Sequence, residues 1–172
     1  MAETVRWLTS EEQRAWRGFV RLQERLGGRL GRLLQSESKM SSADFAVLVH
    51  LTDTPDGRRR HQDLARALEW EKSRMSHHIA RMAGRGLVVR EECPEDGRGA
   101  FVVITDAGRA AIEAAAPRHV AAVRALFLDH VTPAELRVLA ELSERVLAGM
   151  DEEDGRRRAN GERGRRRADG ES

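Results

Sequence analysis

The stretch EKSRMSHHIARMAGRGL, from Glu71 to Leu87, decides the fold because it has the pattern of a helix with two different faces. Met75, Ile79 and Met82 recur at helical spacing and predict one narrow apolar stripe that faces a core. The opposite side contains no acidic residue. Its residues are Ser73, His77 and Ala80, with Arg74, Ser76 and Arg81 at the edges. A face of small, hydroxyl, imidazole and guanidinium groups suits a polyanion with readable base edges, and therefore indicates duplex DNA.

We call this helix the reading helix. A short helix precedes it along the chain, and two strands follow it. Arg58 to Arg60 lead into the short helix, which is predicted over Gln62 to Leu68. Two helices joined by so short a turn, the second with a polar outer face, are typical of a helix-turn-helix. Leu87 to Glu92 and Ala100 to Ile104 are rich in Val, Ile and Phe, and Pro94 to Gly99 joins them as a hairpin. A helix-turn-helix followed by such a hairpin predicts a winged helix.

Two helices are predicted before the winged helix. Thr9 and Glu12 have the spacing of a capping box, so we expect an amphipathic helix from Thr9 to about Leu34. Ser41 is the next cap, and it opens a helix over Ser42 to Leu51.

Two helices and a charged tail are predicted after the hairpin. Thr105 caps a long helix that reaches about Leu128, and Thr132 caps the last helix, which reaches about Ala148. Residues 151–172 consist mostly of Gly, Arg, Glu and Asp, with almost nothing to bury, and are expected to be disordered. Their acids and arginines are equal in number, which favours an inert extension over a DNA tether or a protein-interaction tail.

Composition limits the class of protein. The 172 residues are enough for one domain with an appended oligomerisation part. Lys39 and Lys72 are the only lysines, so nearly all positive charge is guanidinium; this skew fits phosphate and guanine recognition, or equally a codon bias of the source genome. Cys93 is the sole cysteine, so a reducing compartment is expected, and the absence of a long apolar run argues against a membrane span. We expect a cytoplasmic protein.

The amphipathic helices at both ends need a partner surface. A winged helix alone gives them little to cover, so we expect them to pack against their copies in a two-fold homodimer. The predicted fold is mostly α with a small β-hairpin wing, a winged helix-turn-helix flanked by dimerisation helices. The predicted divisions are an N-terminal dimerisation helix over 1–35, the DNA-binding domain over 36–104, C-terminal dimerisation helices over 105–150 and the disordered tail over 151–172.

The run from Leu64 to Gly108 resembles the MarR family of transcriptional regulators. The most specific parts of the resemblance are Gly86, Leu87 and Val88 after the reading helix, Asp96 and Arg98 in the wing, and Thr105, Asp106, Ala107 and Gly108 after the hairpin. The resemblance implies a dimeric regulator that binds a palindromic operator. It also implies repression as the default and release by a small, often aromatic or phenolic, ligand.

The resemblance also implies which residues meet DNA. The expected contacts are Lys72, Ser73, Arg74, Ser76, His77 and Arg81 from the reading helix and Arg98 from the wing. The reading helix would enter the major groove and Arg98 the minor groove, with Asp96 bracing Arg98. His61 and Glu71 depart from the family, which often has Ser or Thr at the start of these two helices.

A ligand cleft is expected between the dimerisation helices and the winged helix-turn-helix that contains the reading helix. Its candidate residues are Trp16, Phe19, His50, Arg118 and His119. The competing interpretation is that aromatic residues at helical spacing belong to the core.

Other functions find less support in the residues. His61, His77 and His78 lack the spacing of a strong zinc site, so no metal and no cofactor are expected. Cys93 lies among glutamates that disfavour its thiolate, which indicates an inert cysteine rather than a redox sensor. The sequence has no phosphate loop or nucleophile elbow, so an enzyme is not expected. A winged-helix module for protein contact and a ligand-independent DNA-binding regulator remain as alternatives.

Overall fold

A computed structural model of the chain describes the backbone of residues 5–92 and 100–169, and side chains up to residue 156. The chain divides into two compact units, Met1–Leu126 and Phe127–Ser172. The elements of the first are α1 (Ser10–Ser38), α2 (Ser42–Thr52), β1 (Arg58–Arg60), α3 (His61–Ala67), α4 (Lys72–Gly84), β2 (Val88–Glu92), β3 (Ala100–Ile104) and α5 (Asp106–Leu126). The second unit contains a short 3-10 helix (Leu128–His130) and α6 (Pro133–Asp169). The predicted class, mostly helical with a small antiparallel sheet and a winged-helix arrangement, is confirmed.

Three helices begin with capping boxes, at Thr9, where the sequence predicts a box, and at Ser41 and Thr132, where it predicts a cap. In α1, the Thr9 hydroxyl accepts from the Glu12 amide at 3.2 Å, and the Glu12 carboxylate accepts from the Thr9 amide at 2.7 Å. Ser41 and Asp44 make the same exchange at the start of α2. Thr132 and Glu135 repeat it at the start of α6. Each exchange satisfies amides that a helix start would otherwise leave unpaired.

The end of α4 is shaped by Gly86. This residue has a φ of +71°, which a glycine adopts without steric cost. The Gly86 amide donates to the Ala83 carbonyl at 2.9 Å, and the Leu87 amide donates to the Met82 carbonyl at 3.1 Å. This pair of bonds is a Schellman ending, and it turns the chain directly into β2.

The sheet has three strands, one more than the sequence predicted. Arg58–Arg60 is a strand and not only a lead into α3. It pairs antiparallel with β3, with Arg59 opposite Val102, and the strand order is β1-β3-β2. The pairing is stabilised by the Phe101 ring of β3, over which the Arg58 guanidinium lies at 4.0 Å.

One core joins the helix-turn-helix to parts of α1 and α5. Its fully buried side chains include Leu48, Leu64, Met75, Ile79 and Met82. Leu34 of α1 and Ile112 and Ala115 of α5 belong to the same buried cluster. The predicted domain boundaries stay predictions, but α1 and α5 pack against each other and on the winged helix within the first unit.

Two helices are longer than predicted. α1 continues past Leu34 to Ser38, and Lys39, which has a φ of +52°, caps its carboxyl end. α6 continues past Ala148, so the disorder expected for residues 151–172 is not what the backbone shows through Asp169. Arg, Glu and Ala favour helix despite the glycines of this segment, and Glu152 and Arg156 form an ion pair one turn apart at 3.4 Å.

Candidate DNA-binding surface

The two faces of α4 separate as its sequence predicts. Met75, Ile79 and Met82 are fully buried. The outward side chains are exposed, apart from Ser76, which is half-buried; they are Lys72, Ser73, Arg74, Ser76, His77, Ala80 and Arg81. We call these residues the reading face. α4 contains no acidic residue, and Glu71 immediately before it makes no side-chain cap. The reading face therefore offers donors, a small residue and cations to a polyanion without a repelling carboxylate of its own.

His78 lies between this face and the core. It is buried, whereas its neighbour His77 is exposed, as expected for adjacent residues on a helix. Arg81 Nη2 lies 3.0 Å from His78 Nδ1. On the other side, the Trp70 ring meets His78 edge-on with 5.1 Å between centroids, and the Arg74 guanidinium lies 4.4 Å over Trp70. Arg81 therefore contacts His78 directly, and Arg74 is connected to His78 through Trp70.

A buried acid, Asp44, faces His78 from α2. Asp44 Oδ1 lies 3.1 Å from His78 Nε2, but the imidazole N–H is not aligned for a hydrogen bond, so the contact is electrostatic. Arg85 donates to Asp44 Oδ2 at 2.7 Å. Burial alone disfavours the carboxylate, but hydrogen bonds from Arg85 and Ser41 outweigh burial and hold the pKa of Asp44 below its usual value. Sequence reasoning missed these contacts, because the partners of Asp44 on α4 and after it are distant along the chain.

The surroundings of His78 favour its neutral form. Burial, the largest influence, lowers the pKa of His78, and Arg81 and Arg74 lower it further. Asp44 raises the pKa of His78 but does not offset the other three. Both ring nitrogens of His78 lie close to charged groups, Nδ1 to Arg81 and Nε2 to Asp44.

His61 joins the start of α3 to the reading face. Its Nε2 lies 3.3 Å from the Ser76 hydroxyl. Burial lowers the pKa of His61, and the nearby Arg90 of β2 lowers it further. The stem of the hairpin and the reading helix therefore both lie close to His61.

The arginines of β1 form a second basic surface. Arg58, Arg59, Arg60 and Arg66 line an open groove of about 500 Å3 beside Phe101, together with Asp56 and Asp63. The guanidinium groups of Arg58 and Arg60 lie 4.0 and 5.4 Å over the Phe101 ring. Because β1 leads directly into His61, this surface continues toward the reading face. Sequence reasoning missed it, although three consecutive arginines were a signal of basic surface.

Comparison with known proteins agrees with this geometry. A family model of the MarR family matches residues 38–99. The crystal structure of AbsC, a MarR family transcriptional regulator from Streptomyces coelicolor, is 38% identical with a TM-score of 0.80, over 85% of this chain and 98% of that one. Sco3205, a MarR family regulator of the same organism crystallised in complex with DNA, is 39% identical with a TM-score of 0.81, over 84% of this chain and 91% of that one. The chain belongs to the MarR family.

Membership of the MarR family makes the protein a transcriptional regulator of a DNA-binding class, and not an enzyme. BpsR of Bordetella bronchiseptica, whose DNA binding is regulated by 6-hydroxynicotinic acid, is 25% identical with a TM-score of 0.61, over 75% of this chain and 98% of that one. No curated protein sequence matched the chain.

The tip of the MarR-family wing falls outside the described residues. Arg98 and Asp96, expected to enter the minor groove and to brace it, lie there, and so does Cys93. Their roles stay predictions.

The five predicted ligand residues make contacts with different partners. Trp16 and Phe19 of α1 are exposed, with 5.9 Å between their ring centroids. The Arg59 guanidinium approaches His50 Nδ1 at 3.4 Å. Arg118 forms an ion pair with Glu37. His119 stacks on Phe45 at 4.4 Å, and burial lowers the pKa of His119. A separate open groove of about 360 Å3 lies along α1 and the end of α5; it is lined by Gly18, Arg21, Leu22, Arg25, Leu26, Arg29 and Leu126.

Neither a metal-binding cluster nor a helix that could cross a bilayer occurs in the part of the chain that the structure describes. Among the described side chains, those of residues 5–92 and 100–156, no group of three or more His, Cys, Asp or Glu is arranged to hold a metal ion. None of the helices in those ranges is both long and apolar enough to cross a bilayer.

Proposed function

We propose that this protein is a cytoplasmic homodimer that represses transcription by binding a palindromic operator. Two copies of the reading face would enter successive major grooves about one helical turn apart. The observation that carries this proposal is the acid-free reading face, on which Arg81 contacts the buried His78 and Arg74 lies over the Trp70 ring. Lys72, Ser73, Ser76 and His77 supply the remaining contacts to bases and phosphates.

Two features outside α4 extend this surface. The arginines of β1 suit phosphates flanking the major groove, because guanidinium groups make bidentate contacts with phosphate oxygens. Arg98 at the wing tip is proposed to enter the adjacent minor groove, with Asp96 bracing it. The complex of Sco3205 with DNA supports a duplex as the partner.

The homodimer is supported by apolar side chains that a single chain leaves exposed. Trp16, Phe19 and Leu22 of α1 are 58%, 54% and 46% exposed. A stripe along α6 is exposed in the same way; its members are Leu136, Leu139, Leu142, Val146 and Met150. Exposed apolar stripes of this size mark interfaces, and a self-complementary surface closes most simply in a two-fold dimer.

Release by a small aromatic or phenolic ligand is the last part of the proposal. The regulation of BpsR by 6-hydroxynicotinic acid supports it. A ligand could bind the dimer more tightly at one spacing of its two reading helices than at another. It would then shift operator affinity by the difference between these two binding free energies. Trp16, Phe19, His50, Arg118 and His119 remain the proposed ligand residues.

A footprint across the region upstream of the protein's own coding sequence tests this function. Protection of an inverted repeat with half-sites about one helical turn apart supports the proposal. No protection even at low salt, where phosphate contacts are strongest, would contradict it. A thermal-shift screen of aromatic acids tests the ligand separately, because a compound that binds only the folded dimer raises its unfolding temperature.

A further inference from the structure

One buried imidazole connects two cations of the reading face. Arg81 contacts His78 Nδ1 directly at 3.0 Å. Arg74 lies over Trp70, and Trp70 meets the edge of the His78 ring. Arginine side chains have many rotamers, so holding them before binding reduces the conformational entropy that is lost when they meet DNA.

The contact with Arg81 fixes where the proton of His78 lies. A guanidinium group only donates hydrogen bonds, so Nδ1 must accept and the neutral ring carries its proton on Nε2. Asp44 Oδ1 lies 3.1 Å from Nε2, and its negative charge favours the tautomer that carries the proton on this nitrogen. A second proton on Nδ1 would place an N–H group against the N–H groups of Arg81, and the contact would be lost.

We propose that His78 is a positioning residue for DNA binding, which holds Arg81 directly only while its imidazole is neutral and supports Arg74 through Trp70. The inference rests on the proposed function, because it needs the reading face to meet DNA. It makes operator affinity depend on pH through a residue that does not touch DNA itself. Affinity decreases as the pH falls through the range in which His78 gains its second proton.

The groups that face His78 act in opposite directions. Asp44 from α2 favours the protonated ring, whereas Arg74 and Arg81 of α4 oppose it. Arg85, which follows α4, acts through Asp44, whose carboxylate it binds. His77 is exposed on the reading face and adds a second imidazole there, which the wild type and the His78 variants share. The effect of His78 is therefore measured as a difference between the wild type and a variant.

A double-mutant cycle separates positioning from a purely structural role. Affinity is measured by fluorescence anisotropy with a labelled duplex of the upstream region and an unrelated duplex of equal length. We expect His78→Leu to weaken binding about tenfold in the wild-type background and in Lys72→Ala, a matched cation on the same helix. In the Arg81→Ala background the loss falls to about threefold or less, since only the Arg74 branch remains. Equal losses in all three backgrounds would overturn the inference.

His78→Gln tests the proton. Its amide oxygen accepts from Arg81 but does not titrate, so affinity at about pH 8 stays within about threefold of the wild type. Between about pH 8 and 5.5 the wild type then loses affinity relative to this variant. Parallel pH profiles would overturn the inference, and this arm holds even if His78→Leu fails to fold. If the wild type binds neither duplex at low salt, the proposed function itself fails; binding without coupling overturns the role of His78 alone.

Discussion

The Arg85 guanidinium donates to the Asp44 carboxylate over 2.7 Å and links the turn after α4 to the start of α2. The same guanidinium donates to the Lys39 carbonyl at 3.0 Å. Asp44 is buried and Arg85 is about half-exposed, so the acid depends on this partner more than the arginine does. The reading helix is thus attached at its carboxyl end to the segment between α1 and α2.

We expect Asp44→Asn to lower the free energy of unfolding by about 1–3 kcal/mol, because the amide keeps a capping oxygen but loses the charge that binds Arg85. Urea unfolding measures the change. Asp63→Asn is the matched control, since Asp63 pairs with Arg66 on the surface at 3.1 Å, and such pairs contribute about 0–1 kcal/mol. Equal losses in the two variants would show that the buried Asp44–Arg85 pair contributes no more to the free energy of unfolding than the surface Asp63–Arg66 pair.

Stability is expected to depend on pH through His78. Because the pKa of His78 is lower in the folded protein than its ordinary 6.5, the unfolded chain takes up protons first as the pH falls. The free energy of unfolding therefore decreases from about pH 6.5 downward and levels off once the folded ring is protonated. Asp44, whose pKa is lowered from 3.8, adds a second loss at still lower pH.

Urea titrations at several pH values measure this dependence. In His78→Gln the first decrease is smaller but not absent, because the pKa values of His61 and His119 are also lowered. If His78→Gln kept the full wild-type slope below pH 6.5, His78 would not be the source.

The faces of α4 were predictable from sequence because a helix fixes which residues share a side. Met75, Ile79 and Met82 show this directly, as do the capping boxes, which depend on residues three apart. β1 was not predictable: Arg58–Arg60 has no apolar residue, and its pairing partner β3 lies some 40 residues later. Its strand character comes from ladder hydrogen bonds and from Phe101, which are contacts between distant segments. The links from Asp44 to His78 and Arg85 were missed for the same reason.

We expect Arg81→Ala to weaken operator binding by about 1–3 kcal/mol and to reduce the slope of log affinity against log salt by about one unit. The reason is the loss of one preorganised guanidinium contact. Anisotropy titrations at several salt concentrations measure both values. Arg137→Ala removes an exposed arginine of α6 and serves as the control. If Arg81→Ala and Arg137→Ala had the same slope of log affinity against log salt, Arg81 would not belong to the DNA interface.

Gly108 should tolerate no side chain. A Cβ atom at this position would lie 2.1 Å from the Leu87 carbonyl oxygen, where the start of α5 crosses the chain leading into β2. We expect Gly108→Ala to lower the free energy of unfolding by about 2 kcal/mol or more, since backbone must move to admit the methyl group. Gly84→Ala, at a helical position with open space, is expected to be neutral or to stabilise by up to about 1 kcal/mol. Thermal and urea unfolding compare the two, and similar stabilities would refute the close approach.

The proposed homodimer predicts that a charge within the α6 stripe separates the chains. Leu139 is 36% exposed in the single chain and lies between Leu136 and Leu142 on one side of α6. Burying an ammonium group in an apolar interface is costly, so Leu139→Lys is expected to raise the dimer dissociation constant at least tenfold, about 1.4 kcal/mol or more. Glu141→Lys places the same side chain two residues away, outside the stripe, and is expected to leave the dissociation constant within about threefold. Sedimentation velocity over a concentration series measures both constants. Operator affinity falls together with dimerisation, because a monomer contacts one half-site only. A Leu139→Lys protein that sediments as the wild type does would place the dimer contact elsewhere.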